Sequence, residues 1–152
     1  MRTLRAAAVA AILAVDRATK LWAMRDLRLH GPVRVLPFFE LSYVENTGAS
    51  FGVGYGSNAF FAVVSALLIV VLLRFLRKWP QDDAWLQWGG TLVLAGAVGN
   101  LYDRLAYRYV VDFLYLHHWP VFNAADSCIT VGALMLAWGL RDDAPAAKAR
   151  AS

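Results

Sequence analysis

The sequence predicts a membrane-embedded, all-α fold, a bundle of four transmembrane helices with a small extracytoplasmic β-structured lobe between the first and second spans. Hydrophobic residues make up 59% of the 152-residue chain and charged residues only 17%, whereas soluble domains are about half apolar and about a quarter charged. Four segments approach the roughly 20 apolar residues that cross a bilayer as a helix. Lysine and arginine lie mostly at the ends of these segments, as in membrane proteins.

Composition also excludes some classes of protein. A single cysteine, Cys128, excludes an internal disulfide and a multi-cysteine metal cluster. The net charge of +4 is not gathered into the basic stripe that nucleic-acid binding requires, so no nucleic-acid partner is expected.

The four predicted spans cover about residues 4–24, 59–76, 85–102 and 124–140. The second is the cleanest, because AFFAVVSALLIVVLL carries no charge. The third contains Gly89, Gly90, Gly96 and Gly99, and small residues allow close helix approach in lipid. We therefore place the third span at the centre of the bundle.

The first span has two interpretations. MRTLRAAAVAAILAV has the basic start and short apolar core of a secretory signal peptide. DRATKLWAM follows it with three charges and no convincing cleavage site, which favours a retained helix.

Two polar inserts, about residues 25–58 and 103–123, separate the spans, and a tail covers 141–152. VRVLPFFELSYVEN in the first insert alternates in part and is rich in Val, Phe and Tyr, which predicts short strands. NTGASFGVGYGSN is typical of turns. We expect a small lobe on the membrane surface, and a disordered, dispensable tail.

Basic residues indicate the orientation. One side of the membrane would hold eight of them: Arg2, Arg5, Arg74, Arg77, Lys78, Arg141, Lys148 and Arg150. The other would hold seven: Arg17, Lys20, Arg25, Arg28, Arg34, Arg104 and Arg108. Three of the seven (Arg17, Lys20 and Arg104) neighbour acidic residues and are expected to be paired. Eight against four then favours cytoplasmic termini and outward-facing inserts.

Ionisable side chains within membrane spans are costly and usually have a function. With this topology, those at the span ends converge near the outer membrane face. Three helical spacings bring residues together: Asp16 with Lys20, Asn123 with Asp126, and Gly96 with Asn100 and Arg104. Structural alternatives exist for each. Asp16 and Lys20 can form a simple helix-end salt bridge, Asp103 can pair with Arg104, and Asn123 with Asp126 predicts a capping box.

Asp112 and Asp126 are the carboxylates without an obvious basic neighbour in sequence. If they lie close together, they cannot both ionise easily. Such a pair can activate water with its anionic member and protonate a leaving group with its neutral member. The helix N-terminus at Asp126 favours that residue as the anionic base.

Five blocks resemble those of the lipoprotein signal peptidase (signal peptidase II) family. They are DRATK (16–20), ENTGASFG (45–52), GAVGNLYDR (96–104), VVDF (110–113) and FNAADSCITVG (122–132). The resemblance extends over essentially the whole chain, with the blocks in the family's order. One departure is Ala95, where the family often has a second glycine, which concerns local helix packing only.

The resemblance implies a bacterial inner-membrane aspartyl endopeptidase, of the type that globomycin-class antibiotics target. It would cleave the signal peptide from prolipoproteins just before a cysteine that carries diacylglycerol, without a metal or cofactor. It would work as a monomer, with lipid-modified prolipoproteins and membrane lipid as its partners. The family motif implies that Asp112 and Asp126 are the catalytic dyad. It further implies two groups of site residues. The pocket residues are Asn46, Gly48, Gly96, Asn100, Arg104 and Asn123. The supporting residues are Asp16 and Lys20.

Three other functions are open from the residues alone. A transporter or proton relay also uses intramembrane Asp and Arg, but the charges here gather at one end of the spans. A purely structural membrane subunit leaves that gathering unexplained. A cysteine peptidase could combine Cys128 with His117 or His118, although packing for the thiol and an exposed loop for the histidines are the simpler interpretations. The two histidines could also suggest a metal site.

Overall fold

The computed structural model describes residues 2–48 and 57–141, which form five α-helices, a π-helical segment and three strands. The helices are α1 (Arg2–Trp22), α2 (Arg28–His30), α3 (Asn58–Lys78), α4 (Ala84–Tyr107) and α5 (Ala124–Arg141). The π-helical segment (Ala23–Leu27) joins α1 to α2, and the strands are β1 (Val33–Leu36), β2 (Phe39–Asn46) and β3 (Val110–Leu116). The predicted combination of helices with a small β-structured part is confirmed.

Local chemistry explains where the central helices begin and end. Trp79 follows α3 in an extended conformation, which the next residue, Pro80, imposes. Asp83 caps the start of α4 by accepting a hydrogen bond from Leu86 N at 2.9 Å. Arg108 ends α4 in the left-handed conformation with φ of 70°.

Two helices extend beyond the predicted spans. The first runs on through the π-helical segment to α2, so it includes residues 25–30 that were assigned to the first insert. The third reaches Tyr107, which places Asp103 and Arg104 inside a helix and corrects the insert boundary at residue 103. Asp103 and Arg104 are buried against other elements, whereas Leu27 is the one buried side chain of residues 25–30.

Helix α4 is the centre of the bundle, as its glycines predicted. A β-carbon on Gly89 would lie 2.9 Å from the carbonyl oxygen of Gly132 on α5, and one on Gly90 would lie 2.8 Å from Leu76 on α3. Only residues without side chains permit such close helix approach.

The helices alternate in direction. Near the beginning of α4, Gly89 meets Gly132, far along α5, whereas Gly96 meets Ala125 at the beginning of α5. Helices α4 and α5 are therefore antiparallel. Helix α1 runs parallel to α4, because Lys20, late in α1, hydrogen-bonds Asn100, late in α4.

The sheet joins residues from both inserts, in the antiparallel order β1-β2-β3. In the β2–β3 ladder Val44 lies opposite Asp112 and Asn46 opposite Val110. Beneath the sheet, Val111 and Phe113 pack on the π-helical segment. Strand β3 thus carries Asp112 between the sheet and the end of the helix bundle.

Among the described residues, one helix, Asn58–Lys78, has the length and composition to cross a membrane. Its side chains are mostly exposed, including Phe60, Val63 and Leu67. An outward-facing apolar surface of this size marks a region of contact with lipid or with a partner.

Candidate active site

Asn123 joins the two predicted catalytic aspartates. Its Nδ2 atom donates to Asp112 Oδ1 at 2.7 Å, and its backbone N–H donates to Asp126 Oδ2 at 3.1 Å. Asp126 N donates in turn to Asn123 Oδ1 at 2.9 Å. These reciprocal bonds confirm the predicted capping box at the start of α5, and they hold both carboxylates against one residue.

Asp112 is the more deeply buried of the two, with 1% of its surface exposed, while Asp126 is half-buried. Asn46 Nδ2 donates to Asp112 Oδ2 at 2.9 Å. Burial raises the pKa of Asp112 to about 7, and the nearby charge of Asp126 adds to this shift. The hydrogen bonds from Asn46 and Asn123 act in the opposite direction. With a pKa of about 7, Asp112 is partly protonated near neutral pH.

Asn100 holds Asp126 in a defined orientation. Its Oδ1 atom accepts hydrogen bonds from Lys20 Nζ at 2.9 Å and from Asn123 Nδ2 at 3.2 Å. The amide NH₂ group must therefore point the other way, where it donates to Asp126 Oδ1 at 2.7 Å. The ammonium of Lys20 thus orients the Asn100 donor toward the Asp126 carboxylate, which the ammonium itself does not touch.

Lys20 is fully buried at the meeting point of three helices. Its ammonium lies 3.0 Å from Asp16 Oδ2 and 3.0 Å from Asp103 Oδ2, which confirms the predicted pair within α1. Asp16 Oδ1 also accepts from Ala125 N at 3.1 Å. A residue on α1 therefore satisfies a free N–H group in the first turn of α5.

Asp103 and Arg104 do not form the pair suggested by their adjacency. Successive helical residues point in different directions, and Asp103 instead pairs with Lys20 and, at 3.3 Å, with Arg17. It also accepts a hydrogen bond from Val111 N. The expected pairing of Arg104 with its neighbour is wrong. Lys20 pairs with Asp16 as expected, and Arg17 is paired, but with the distant Asp103 in place of its neighbour Asp16.

Arg104 instead faces the segment after β2. Its Nη2 atom donates to Gly48 O at 3.1 Å, and its guanidinium lies 5.3 Å from the ring of Phe61. Within the part of the chain that is described, its Nε and Nη1 atoms are buried without a hydrogen-bond partner. Asp112 and Asp126 both interact electrostatically with the Arg104 guanidinium, so these N–H groups lie near the two carboxylates.

The two glycines predicted for the site have separate roles in its shape. Gly48 N donates to Asn46 Oδ1 at 3.0 Å, which forces the amide group of Asn46 to donate toward Asp112. A β-carbon on Gly96 would overlap with the carbonyl oxygen of Ala125, so glycine lets α5 bring Asp126 close to α4. Residues 49–52 of the ENTGASFG block lie outside the described residues.

The residues of the alternative hypotheses lie elsewhere. Cys128 is half-buried on α5, while His117 and His118 are exposed in the turn after β3. In residues 2–48 and 57–141, no group of three or more His, Cys, Asp or Glu side chains is placed to hold a metal ion.

Asp103 is the residue of this cluster whose role sequence reasoning missed. It lies three positions after Asn100, a spacing that puts both on one face of α4. That spacing was a usable signal, but the adjacent Arg104 offered a simpler partner. The 86 positions between Arg17 and Asp103 gave no local indication of their contact.

Comparison with known proteins identifies the family of this site. The signal peptidase (SPase) II family profile matches residues 8–141. The chain belongs to the signal peptidase II family. The predicted resemblance is thereby confirmed, and the family is one of peptidases.

Other signal peptidase II members are similar over most of their length. The lipoprotein signal peptidase of Syntrophotalea carbinolica is 42% identical over 146 residues, covering 88% of this chain and 91% of that protein. The lipoprotein signal peptidase of Clostridium novyi is 36% identical over 129 residues, covering 81% and 87%.

Solved structures of bacterial membrane enzymes share the fold of this signal peptidase II member. One, determined in meso at 2.3 Å, has a TM-score of 0.87 at 27% identity and covers 94% of this chain and 90% of its own. Another, at 1.9 Å, has a TM-score of 0.82 at 27% identity, with coverages of 91% and 92%. These similarities indicate a membrane protein.

Proposed function

We propose that this signal peptidase II member is an aspartyl endopeptidase that removes the signal peptide from diacylglyceryl-modified prolipoproteins. It cleaves the peptide bond just before the lipidated cysteine and uses Asp112 and Asp126 as the catalytic dyad. The observation that carries the proposal is the shared hydrogen bonding of both carboxylates to Asn123. Two carboxylates held in this way divide into an acid and a base.

Asp126 acts as the base and Asp112 as the acid. Asp126 lies in the first turn of α5, where the helix N-terminus favours an anion, and it is more exposed than Asp112. The pKa of Asp112 is raised to about 7, which lets it hold a proton at neutral pH.

The reaction then follows the chemistry of aspartic proteases. Asp126 takes a proton from water as the water oxygen bonds to the carbonyl carbon, and Asp112 gives its proton to the carbonyl oxygen. When the tetrahedral intermediate collapses, the C–N bond breaks and the proton on Asp126 passes to the leaving amine. The hydroxyl that becomes the new carbonyl returns its proton to Asp112, which restores both carboxyl groups. The titration belongs to the two carboxylates as a pair.

Arg104 supplies donors for the substrate. Its Nε and Nη1 groups have no partner in the described residues, and leaving buried donors unsatisfied is costly. A peptide carbonyl of the bound substrate would satisfy them and would also stabilise the developing oxyanion if it lies close enough. Asn46, Gly48, Gly96, Asn100 and Asn123 shape the pocket, with Asp16 and Lys20 in support.

Four helices, α1, α3, α4 and α5, span the bacterial inner membrane, with both termini in the cytoplasm. Their alternating directions support this topology, and the exposed apolar surface of α3 suits contact with lipid. The sheet and the dyad then lie near the outer face, where water reaches Asp126 and a lipidated substrate enters from the bilayer. The enzyme acts as a monomer without metal or cofactor.

One assay tests this function. Purified protein is incubated with a diacylglyceryl-modified precursor and with the same precursor lacking the lipid. We expect cleavage of the lipidated form alone, just before the modified cysteine, and inhibition by globomycin. Equal cleavage of both precursors would overturn the substrate assignment, and cleavage that persists in Asp112→Asn would overturn the dyad.

A further inference from the structure

A second buried charge lies at the end of the bundle opposite the two aspartates. Arg5 on α1 is only 8% exposed, and its Nη2 atom donates to Gln81 Oε1 at 2.7 Å. Arg5 precedes Lys20 by fifteen positions, which at 1.5 Å per residue is about 22 Å along the helix. Arg5 therefore does not belong to the catalytic site.

Arg5 has no anionic partner in residues 2–48 and 57–141. Its Nη1 atom is buried without a hydrogen-bond partner, and none of the ion pairs formed by the described residues involves it. The nearest acidic residues in sequence to Gln81 are Asp82, which is exposed, and Asp83, whose side chain caps α4. An unpaired buried cation is unfavourable, so an anion at this position would stabilise the protein.

A cavity of about 300 Å³ lies beside the Arg5 side chain, between α1, α3 and α4. Its polar lining residues are Arg5, the exposed Arg77, Gln81, Gln87 and Thr91, so two arginines border it. Most of the remaining wall is aliphatic and is formed by Ala6, Val9, Leu73, Leu76 and Leu94. The cavity is thus lined by two arginines and a mainly aliphatic wall.

We propose that this cavity binds a membrane phospholipid, with its phosphate on Arg5 and Arg77 and an acyl chain along the aliphatic wall. Arginine is well suited to phosphate, because its planar fork of N–H donors matches two phosphate oxygens. A free phosphate would use the same donors but would leave the apolar wall empty. The bilayer around the helices supplies the phospholipid at high local concentration, which favours the lipid as the occupant.

Native mass spectrometry of the full chain, titrated with phosphatidylglycerol in detergent, tests this site. The variant Arg5→Gln removes the buried charge and keeps a polar side chain. Its control, Arg74→Gln, removes an exposed charge from α3 that does not border the cavity. We expect Arg5→Gln to bind one phosphatidylglycerol about tenfold more weakly or worse, while Arg74→Gln binds like the unmodified protein.

A second variant keeps the test decisive if Arg5→Gln does not fold. Arg77→Gln changes an exposed residue that does border the cavity, so we expect it to weaken binding several-fold relative to Arg74→Gln. Equal affinities in these variants would overturn the site.

Two further ligands distinguish the source of the phosphate. Dioleoylglycerol, which lacks the phosphate, should bind the unmodified protein at least about tenfold more weakly than phosphatidylglycerol. Inorganic phosphate at the same concentration should not displace the phospholipid. Displacement by inorganic phosphate, or equal binding of dioleoylglycerol, would overturn the phospholipid assignment. None of these measurements depends on peptidase activity.

Discussion

The two ends of the helix bundle differ in how completely their buried cations are paired. At the aspartate end, the ammonium of Lys20 contacts Asp16, Asp103 and Asn100, so each of its donors has a partner. At the other end, within the described part of the chain, the guanidinium of Arg5 has one hydrogen-bond partner, Gln81, and one buried nitrogen without any.

The difference indicates how each charge is used. A buried ion pair costs desolvation that only good geometry offsets, and at the aspartate end that geometry also orients the donors to Asp126. The incomplete bonding of Arg5 leaves capacity for a ligand. The same contrast appears within the aspartate end, where two nitrogens of Arg104 have no partner among the described residues.

The largest expected effect is on catalysis at the aspartate end. Asp112→Asn and Asp126→Asn should each lower the cleavage rate of a lipidated precursor by about 10³-fold or more, because acid and base are both required. Asp82→Asn, an exposed position near the opposite end, is the matched control and should keep full activity. Near-normal cleavage in either dyad variant, measured by the mobility shift of the precursor, would exclude that residue.

Removing the central cation of each end tests the comparison directly. Lys20→Met leaves the carboxylates of Asp16 and Asp103 buried without their shared partner, which should cost about 3–5 kcal/mol. Arg5→Met leaves no carboxylate behind and should cost less. Melting temperatures in detergent without added phospholipid compare the two, and a larger loss for Arg5→Met would contradict the contrast.

Two glycines on α4 allow the effect of a close backbone contact to be compared with that of a close side-chain contact. In Gly96→Ala the new β-carbon meets the carbonyl of Ala125. Helix α5 must therefore move away and carry Asp126 with it. We expect this variant to be destabilised by about 1–3 kcal/mol and to lose most of its activity. In Gly90→Ala it meets the side chains of Leu76 and Trp79, which can shift. Activity and melting temperature should both fall more for Gly96→Ala, and equal losses would exclude a special role for that contact.

The pH dependence of the cleavage rate tests the assignment of acid and base. If Asp112 is the acid, its protonated fraction falls as pH rises through its pKa of about 7. The rate should then decline toward about tenfold per pH unit on the alkaline side. A rate that instead rises through this range would indicate that Asp112 is the base. The measurement is the initial cleavage rate from pH 5.5 to 8.5, with the protein's melting temperature followed as a control.

The smallest effect is expected at Cys128. Its thiol is half-buried and forms none of the hydrogen bonds described for the site, so Cys128→Ala should keep cleavage and change stability by less than about 1 kcal/mol. Loss of activity in a folded Cys128→Ala variant would revive the cysteine peptidase hypothesis.

Local patterns predicted much of this structure because they arise from contacts within a few residues. The capping box of Asn123 and Asp126 and the pair of Asp16 and Lys20 depend on three- and four-residue spacings in a helix. The glycines of α4 likewise indicated close packing. The family resemblance added the candidate dyad, whose catalytic role stays a prediction.

Only the tertiary structure decided which distant groups meet. It placed β3 in one sheet with β1 and β2, put Asp103 on Lys20 and Arg17 in place of Arg104, and brought Asp16 to the N-terminus of α5. Among residues 2–48 and 57–141, it also left nitrogens of Arg5 and Arg104 without a hydrogen-bond partner. The sequence by itself determined the four long helices, the capping box of α5 and the kinds of polar group at each end. The partners were decided by packing, because an ion pair across helices depends on helix direction and separation, which local spacing does not encode.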